Sequence, residues 1–372
     1  MTFRGPLYFA AGLFALLTTP WISSPASGQS QWDTIVDAAN REGEVSLYAT
    51  DDFEALFREF HKKYPKILVK GVFGRGRDVA LRMLSERRAG KNLADLYLDG
   101  MTTGYNVLYK AKAVDPISDA LVLAEVVDPS KWWHGQVHYV DPEQKYLLIF
   151  NGQTRVDVSY NTNLVNPKEF RSYWDLLTPK WKGKIAAMDP SIEASGTAVR
   201  FIYHHPELGQ KYLRKLLTEM DPVISRDSRQ MADWLGSGRV AFVMLNAFSR
   251  MDLGEAKRQG LPVDWFGPSD LKEGAAVTAA TGGVALINRA PHPNAAKVAV
   301  NWLLSREGQS TYQKLFTAAD EGPDSLRIDI SKEGVPRASR RIEGDEKRFP
   351  QTDKSEWMDM APIRNFLRGL KK

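Results

Sequence analysis

Residues 172–200 read SYWDLLTPKWKGKIAAMDPSIEASGTAVR, and this segment is the most informative part of the chain. It predicts a helical stretch and a Pro- and Lys-containing turn, then the buried strand Ile185–Met188, and finally a loop that opens a helix. The first N–H groups of a helix have no partner within it and lie at the positive end of its dipole. We therefore predict that Ser195, Gly196 and Thr197 form an anion-binding loop, with simple helix capping as the alternative.

Working outward from this segment, the same order of strand, polar loop and helix recurs. Glu44–Thr50 predicts a strand, followed by an amphipathic helix with apolar residues at positions 53, 56, 57 and 60. The strand Ile67–Phe73 leads into the loop Gly74–Arg77, and a third strand leads into Gly100–Gly104. This alternation predicts an α/β fold with mixed, mainly parallel sheets flanked by helices. In open α/β sheets, ligands bind at the loops that follow the carboxyl ends of the strands.

The N-terminus predicts export. Arg4 precedes the apolar run Leu7–Leu17, and Ala26 and Gly28 provide a small-residue cleavage site. We therefore predict a cleaved signal peptide at residues 1–28 and a periplasmic mature protein. The apolar run is too short to span a bilayer. The 372 residues, of which 43% are hydrophobic and 26% charged, are typical of a soluble globular protein of about two domains.

Composition also excludes several classes of function. The sequence has no Cys, which excludes disulfides, thiol catalysis and a Cys-linked lipid anchor. The formal net charge of +5 is spread among acidic residues without a long basic run, so no nucleic-acid partner is predicted. The sequence contains neither G-x-S-x-G nor H-E-x-x-H, nor a phosphate-binding lysine loop. We therefore predict no enzyme activity, no catalytic residues, no cofactor and no resident metal.

A set of motifs in a fixed order resembles one family of binding proteins. The motifs are EGEVSLYAT (42–50), RMLSERRAGKNLADLYLDG (82–100), VDVSYNTNLV (156–165), the opening segment, LGSGRVAFVM (235–244) and TGGVALINRAPHPNAAKVAVNWLLSREGQ (281–309). Behind a signal peptide, this set resembles the type II extracellular solute-binding proteins of bacterial ABC importers, in the subgroup related to ferric-iron-binding proteins. The resemblance covers roughly residues 32–370.

The resemblance implies two hinged α/β lobes joined by crossing strands, with the ligand in the cleft between them. We assign residues 29–155 and 265–320 to lobe 1 and residues 156–264 to lobe 2. Residues 156–163 are the predicted crossing segment, and residues 321–372 are a C-terminal segment that packs across the lobes. The family further implies a monomer that captures a small solute and delivers it to an inner-membrane ABC permease.

The predicted site combines the loops after the strands with the positions that match the family's binding loops. The predicted ligand-binding residues are Thr50, Asp51, Arg75, Arg77, Thr102, Ser195, Gly196, Thr197, Arg226, Asn246, Phe248 and Arg250. The resemblance implies that Ser195–Thr197 hold an anion. A guanidinium fork on Arg75, Arg77, Arg226 or Arg250 is suited to carboxylate or phosphate. Phe248 is the candidate for stacking on an organic body.

The nature of the solute depends on one departure from the family. The iron-binding relatives place adjacent tyrosines after the strand equivalent to Val240–Leu245, whereas residues 246–248 of this chain are Asn-Ala-Phe. Ferric ion favours anionic oxygen ligands, so the loss of both phenolates favours an anionic or polar organic solute. Ferric iron or an iron chelate is the alternative, with carboxylates from Asp51, Asp52 and Asp78. An exported enzyme on the same fold, or a binding protein that feeds a sensor, is a further alternative.

Overall fold

The computed structural model describes residues 1–2, 5, 26–51, 53–192, 195–245, 250–317 and 322–370. Most of the predicted signal peptide, residues 1–28, therefore lies outside the described residues. The first helix begins at Ala26, so the predicted cleavage position after Gly28 falls in its first turn. None of the helices within the described ranges combines the length and the hydropathy that spanning a bilayer requires.

Strands and helices alternate along most of the chain. The strands are β1 Glu44–Ala49, β2 Leu68–Phe73, β3 Leu96–Leu98, β4 Val114–Asp115, β5 His138–Tyr139, β6 Leu147–Ile149, β7 Gln153–Arg155, β8 Val158–Asn161, β9 Ile185–Met188, β10 Val223–Ser225, β11 Phe242–Met244, β12 Val263–Trp265, β13 Ala276–Thr278 and β14 Gly283–Ile287. The α-helices are α1 Ala26–Glu42, α2 Phe53–Lys63, α3 Gly76–Arg88, α4 Met101–Thr103, α5 Ala124–Val127, α6 Gly196–His204, α7 Gly209–Thr218, α8 Ser228–Gly236, α9 Arg250–Arg258, α10 Pro293–Leu304, α11 Arg306–Phe316, α12 Ser355–Met358 and α13 Ala361–Gly369.

Lobe 1 is built on a sheet with the strand order β2-β1-β3-β14-β6-β5, in which β4 also pairs with β14. The strands β1, β2 and β3 are parallel, whereas β14 runs antiparallel to its neighbours β3 and β6. Helix α2 covers this sheet through Phe53, Leu56, Phe57 and Phe60, all of which are buried. Their spacing of three and four residues places them on one helical face, as the sequence predicts.

Lobe 2 has its own sheet, with the order β10-β9-β11-β8-β12. The strands β9, β10 and β11 are parallel, and β8 is antiparallel to β11 and β12. Phe170, Trp181 and Phe242 lie in edge-to-face contact in the core of this lobe. Two separate hydrophobic cores, one on each sheet, therefore divide the chain into two lobes.

The chain crosses between the lobes at a small two-stranded sheet. Strands β7 and β13 pair antiparallel, with Thr154 opposite Val277. The predicted crossing segment, residues 156–163, lies too far along the chain, because β8 within it belongs to the lobe 2 sheet. A pair of short antiparallel strands between two cores can absorb a rotation of one lobe against the other.

The packing also shifts one predicted boundary. Phe266, Leu271 and Val277 belong to the hydrophobic core of lobe 2, although the sequence assigned residues from 265 onward to lobe 1. The chain therefore stays in lobe 2 from residue 265 until strand β13. Ala279, which directly follows β13, is the first residue after that strand to pack in the lobe 1 core. The C-terminal segment adds Met358 to the lobe 1 core, and it adds three residues of its last helical region, Met360, Ile363 and Leu367, to the lobe 2 core.

Candidate functional site

A cleft with a volume of about 510 Å³ lies between the lobes. Its lining comprises Arg77, Asn106 and Val107 of lobe 1, Ser191, Ile192 and Arg226 of lobe 2, and Arg364 of helix α13. Three guanidinium groups therefore approach one space from three parts of the molecule. Its volume lies in the range of sites that hold organic ligands.

The lobe 1 wall of the cleft is formed at the start of helix α3. Arg77 lies in its first turn and lines the cleft. Arg75 occupies the N-cap position, is exposed, and lies outside the described lining of the cleft. The described lining includes only one of these two predicted residues, and Arg77 alone stays in the site that we propose.

An internal carboxylate lies against the same helix entrance. The Tyr97 hydroxyl donates to Asp99 Oδ2 at 3.1 Å, and Asp99 is buried against Gly76 at the first position of helix α3. Burial, and then the neighbouring Asp99 charge, raise the pKa of Tyr97 well above its ordinary value, so the phenol stays protonated as a donor. The positive end of the α3 dipole therefore has a carboxylate of the protein's own beside it.

Substituting Gly76 by Ala is expected to destabilise the protein by about 1–3 kcal/mol, since the new methyl group would overlap the Asp99 carboxylate. The matched control is Gly369→Ala near the end of helix α13, where an added methyl group meets nothing within 4 Å. That control should be neutral or slightly stabilising, because Ala favours a helix over Gly by about 1 kcal/mol. Urea unfolding measures both variants, and equal midpoints would contradict the close contact.

The other predicted lobe 1 residues lie outside the described lining of the cleft. Thr50 follows β1, and its buried Oγ1 has no hydrogen-bond partner among the described residues. Asp51 is exposed at the start of helix α2. Thr102 lies in α4, where its Oγ1 accepts a hydrogen bond from Arg200 Nη1 of lobe 2 at 2.5 Å. Of these three residues, Thr102 makes a contact between the lobes.

In the lobe 2 loop, Ser195 does not cap the helix as the alternative interpretation expects. Ser195 is buried, and its hydroxyl donates to the carbonyls of Asp189 at 3.0 Å and Ile192 at 2.9 Å. Its side chain therefore closes the loop and makes no capping hydrogen bond to helix α6. Thr197 Oγ1 lies 3.4 Å from Thr278 Oγ1 on β13. The Ser195 hydroxyl is thus used within the protein, and the predicted anion contacts of the loop remain those of its backbone N–H groups.

Asp189 orients the lobe 2 side of the cleft, and sequence reasoning missed it. One of its oxygens accepts from the Ser191 amide at 2.9 Å and hydroxyl at 2.6 Å, and the other accepts from Arg226 Nε at 2.8 Å. Burial would raise the pKa of Asp189, but these hydrogen bonds outweigh it and lower the pKa. The Asp-Pro-Ser sequence at 189–191, typical of an Asx turn, is the signal that could have identified it.

A buried ion pair connects both lobes with the C-terminal segment. Arg200 of helix α6 is fully buried, and its Nη2 donates to Asp353 Oδ1 at 2.6 Å. The second Asp353 oxygen accepts from Thr278 Oγ1 at 2.8 Å and from the Ala279 amide at 2.7 Å. Arg200 Nη1 donates to Thr102. The four residues Thr102, Arg200, Thr278 and Asp353 form an interlobe latch, which joins α4, α6, β13 and the C-terminal segment. A Cβ atom at Gly196 would lie 3.3 Å from Thr102, so the lobes are in close contact here.

The remaining predicted residues cannot be placed. Asn246 and Phe248 lie outside the described residues. Arg250 is the first residue of helix α9, and its side chain also lies outside the described part. Among the described residues, no group of three or more His, Asp or Glu side chains is arranged to hold a metal ion.

We expect the stability of the protein to fall as the pH is lowered from 6.5 to 4, in part through His204. Its ring stacks on Trp357 at 4.6 Å, and burial, with Lys354 and Arg200 nearby, lowers its pKa to about 4. Between pH 6.5 and 4, His204 binds a proton in the unfolded chain but stays neutral in the folded protein. The free energy of unfolding therefore decreases as the pH falls through this window. His204→Phe should lose less stability than the wild type between pH 7 and 4.5 in urea unfolding, because it removes the contribution of His204. Burial also lowers the pKa of His138 to about 4, but that contribution is the same in both proteins. Equal losses would contradict this assignment.

Comparison with known proteins finds a family match over part of the chain and a shared fold over most of it. Residues 156–315 match the family of bacterial extracellular solute-binding proteins. A Haemophilus influenzae protein described as uncharacterized is 26% identical over 285 residues, which are 73% of this chain and 76% of that protein.

Solved structures share the architecture over most of the chain. The Trichodesmium protein IdiA (FutA), in complex with iron and citrate, matches with a TM-score of 0.63 at 17% identity, over 88% of this chain and 99% of that chain. The periplasmic binding protein AfuA from Actinobacillus pleuropneumoniae, with exogenous fructose-6-phosphate bound, matches with a TM-score of 0.60 at 16% identity, over 88% and 98%. Likeness at these identities establishes the fold. The predicted two-lobed fold class is confirmed, and with the family match so is the predicted resemblance.

Proposed function

We propose that this protein is an extracellular solute-binding protein that captures an anionic organic solute between its lobes and delivers it to the membrane permease of an ABC-type importer. The observation that carries the proposal is the lining of the cleft, where Arg77 of lobe 1 and Arg226 of lobe 2 approach the same space. A ligand closes two lobes only when it makes contacts with both of them. An anion held by both guanidinium groups meets this requirement.

The chemistry of the remaining lining agrees with an organic anion. Ser191 and Asn106 offer a hydroxyl and an amide, and Val107 and Ile192 offer apolar contacts to a carbon framework. Guanidinium groups bind carboxylate and phosphate through paired, charge-assisted hydrogen bonds. The bound citrate and fructose-6-phosphate of two proteins with this fold are ligands of this class.

Ferric iron is the second candidate, because the Trichodesmium structure also contains iron. A bare ferric ion needs anionic oxygen ligands, whereas the described cleft presents cationic side chains. A ferric chelate with free carboxylates fits such a lining better than the ion alone. We therefore place iron, if it is bound, within an organic anion.

The setting of this function follows from the N-terminal sequence and the family. We propose that residues 1–28 are removed on export and that the mature protein acts as a monomer in the periplasm. The partner is then an inner-membrane permease, which receives the solute when the lobes open. Binding without catalysis is the activity that this family carries out.

A thermal-shift screen tests the proposal. The purified mature protein is heated with citrate, malate, sugar phosphates, inorganic phosphate, ferric citrate and ferric ion, and with neutral fructose as a control. A ligand at about a hundred times its Kd stabilises the folded protein by about 2.7 kcal/mol, which raises the melting temperature clearly. The proposal expects shifts with organic anions. A shift with ferric ion alone, or with fructose alone, contradicts it.

A further inference from the structure

Residues 353–369, the last part of the C-terminal segment, contribute to the cleft as well as to the two cores. It begins at Asp353 in the interlobe latch and ends with helix α13, which carries Arg364 into the cleft lining. Ile363 and Leu367 of the same helix are buried in the lobe 2 core, and Phe366 contacts Tyr203 at 5.8 Å between ring centres. The position of Arg364 is therefore fixed by the packing of its helix against lobe 2.

The same segment is also attached to lobe 1, immediately before the helix. Asn106 Nδ2 donates to the carbonyl of Met358 at 2.9 Å, and Lys110 Nζ donates to Asp359 Oδ1 at 2.7 Å. Asn106 itself lines the cleft. A residue of the cleft wall thus also holds the residues that immediately precede the helix of Arg364.

We propose that Arg364 is a specificity-determining residue that binds a second anionic group of the solute, and that the physiological solute is an organic molecule with at least two such groups. This inference rests on the proposed function and narrows its substrate class. Arg77 and Arg226 suffice to hold one anionic group from the two lobes. Arg364 arrives from a third element of the structure, in a cleft of about 510 Å³ that has room for a carbon framework between separate charges.

The experiment compares probes that differ by one anionic group. Titration calorimetry measures the affinity of the wild type for two such pairs, fructose 1,6-bisphosphate with fructose 6-phosphate, and malate, which has two carboxylates, with lactate, which has one. The same titrations are repeated with Arg364→Ala and with the matched control Arg368→Ala. Arg368 lies one turn further along the same helix, is exposed, and hydrogen-bonds to Asn365. Circular dichroism and melting curves establish that both variants are folded.

The expected result is a preference of the wild type for the more highly charged member of a pair, which Arg364→Ala removes. A charge-assisted hydrogen bond is worth about 1.5–3 kcal/mol, so that member should bind about 10- to 150-fold more weakly. The affinity for the less charged member should fall by about threefold or less, because this probe has no second anionic group for Arg364 to bind and loses only the effect of a nearby charge. Arg368→Ala should bind like the wild type.

Two results overturn the inference, and only the second also contradicts the proposed function. If the wild type binds these anions and Arg364→Ala keeps the full preference for the more highly charged member, Arg364 does not bind a second anionic group. The proposed function then stands. If the wild type binds none of the four anions at millimolar concentration, both this inference and the proposed function fail.

Discussion

Asp353→Ala is expected to lower the free energy of unfolding by about 3–5 kcal/mol, because it leaves the buried Arg200 charge without its partner. Arg200 is fully buried and Asp353 nearly so, and solvent cannot replace the lost carboxylate. The substitution also removes the acceptor for Thr278 Oγ1 and for the Ala279 amide. The measurement is urea unfolding followed by circular dichroism.

The control for this substitution is Glu59→Ala, which removes an exposed ion pair with Lys62 on helix α2. Exposed pairs of this kind contribute about 0–1 kcal/mol, so the control should unfold close to the wild type. A loss below about 1 kcal/mol for Asp353→Ala would mean that the pair is not desolvated as the structure places it. Arg200→Met should destabilise less than Asp353→Ala, since it leaves a hydrogen-bonded carboxylate and no buried cation.

The second large effect is expected on binding, from the double variant Arg77→Ala/Arg226→Ala. Each guanidinium that contacts an anion contributes about 1.5–3 kcal/mol, and the two residues lie on opposite lobes. The double variant should therefore bind the anion identified in the thermal-shift screen at least about a hundredfold more weakly than the wild type. Titration calorimetry at constant ionic strength measures this, because salt screens exposed charges.

Arg75→Ala is the matched control for the binding experiment. Arg75 lies two residues before Arg77, carries the same charge and is likewise exposed, but it lies outside the described lining of the cleft. Its loss changes the overall charge of the protein equally and should alter affinity by less than about threefold. If Arg75→Ala weakens binding as strongly as Arg77→Ala, the effect comes from the general charge of the surface. The cleft contacts would then be wrong.

Local patterns along the chain were sufficient to predict most of the fold. Phe53, Leu56, Phe57 and Phe60 predict helix α2 by their spacing, and all four are buried where the pattern places them. The strand predicted at Glu44–Thr50 is present as Glu44–Ala49. Periodicity depends only on neighbours within a few residues, and such information is fully present in a sequence.

The candidate site was predictable only in part, for the same reason. The rule that ligands bind after the carboxyl ends of strands predicted Arg77 and Arg226, and both line the cleft. Arg200 and Asp353 are 153 residues apart in the chain, and no local pattern connects an arginine on an apolar helix to a distant aspartate. Arg364 was missed because its helix lies far along the chain from the strand-end loops that the rule covers.

Helix capping, the alternative interpretation of Ser195, shows a different limit. A serine before a helix predicts a cap, because the most common geometry directs the hydroxyl to the helix N–H groups. Here the hydroxyl points back to Asp189 and Ile192 and closes its own loop. The two arrangements use the same residue types at the same positions, so only the backbone conformation of the loop distinguishes them.

Native mass spectrometry of the protein isolated from the periplasm of a bacterium that expresses it tests the central claim most directly. The added mass on the folded protein, and the compound released by denaturation, identify what the cleft holds. We predict a single organic molecule with carboxylate or phosphate groups, absent from the Arg77→Ala/Arg226→Ala variant. A ferric ion without an organic component, or a neutral solute that the variant retains, would contradict the claim.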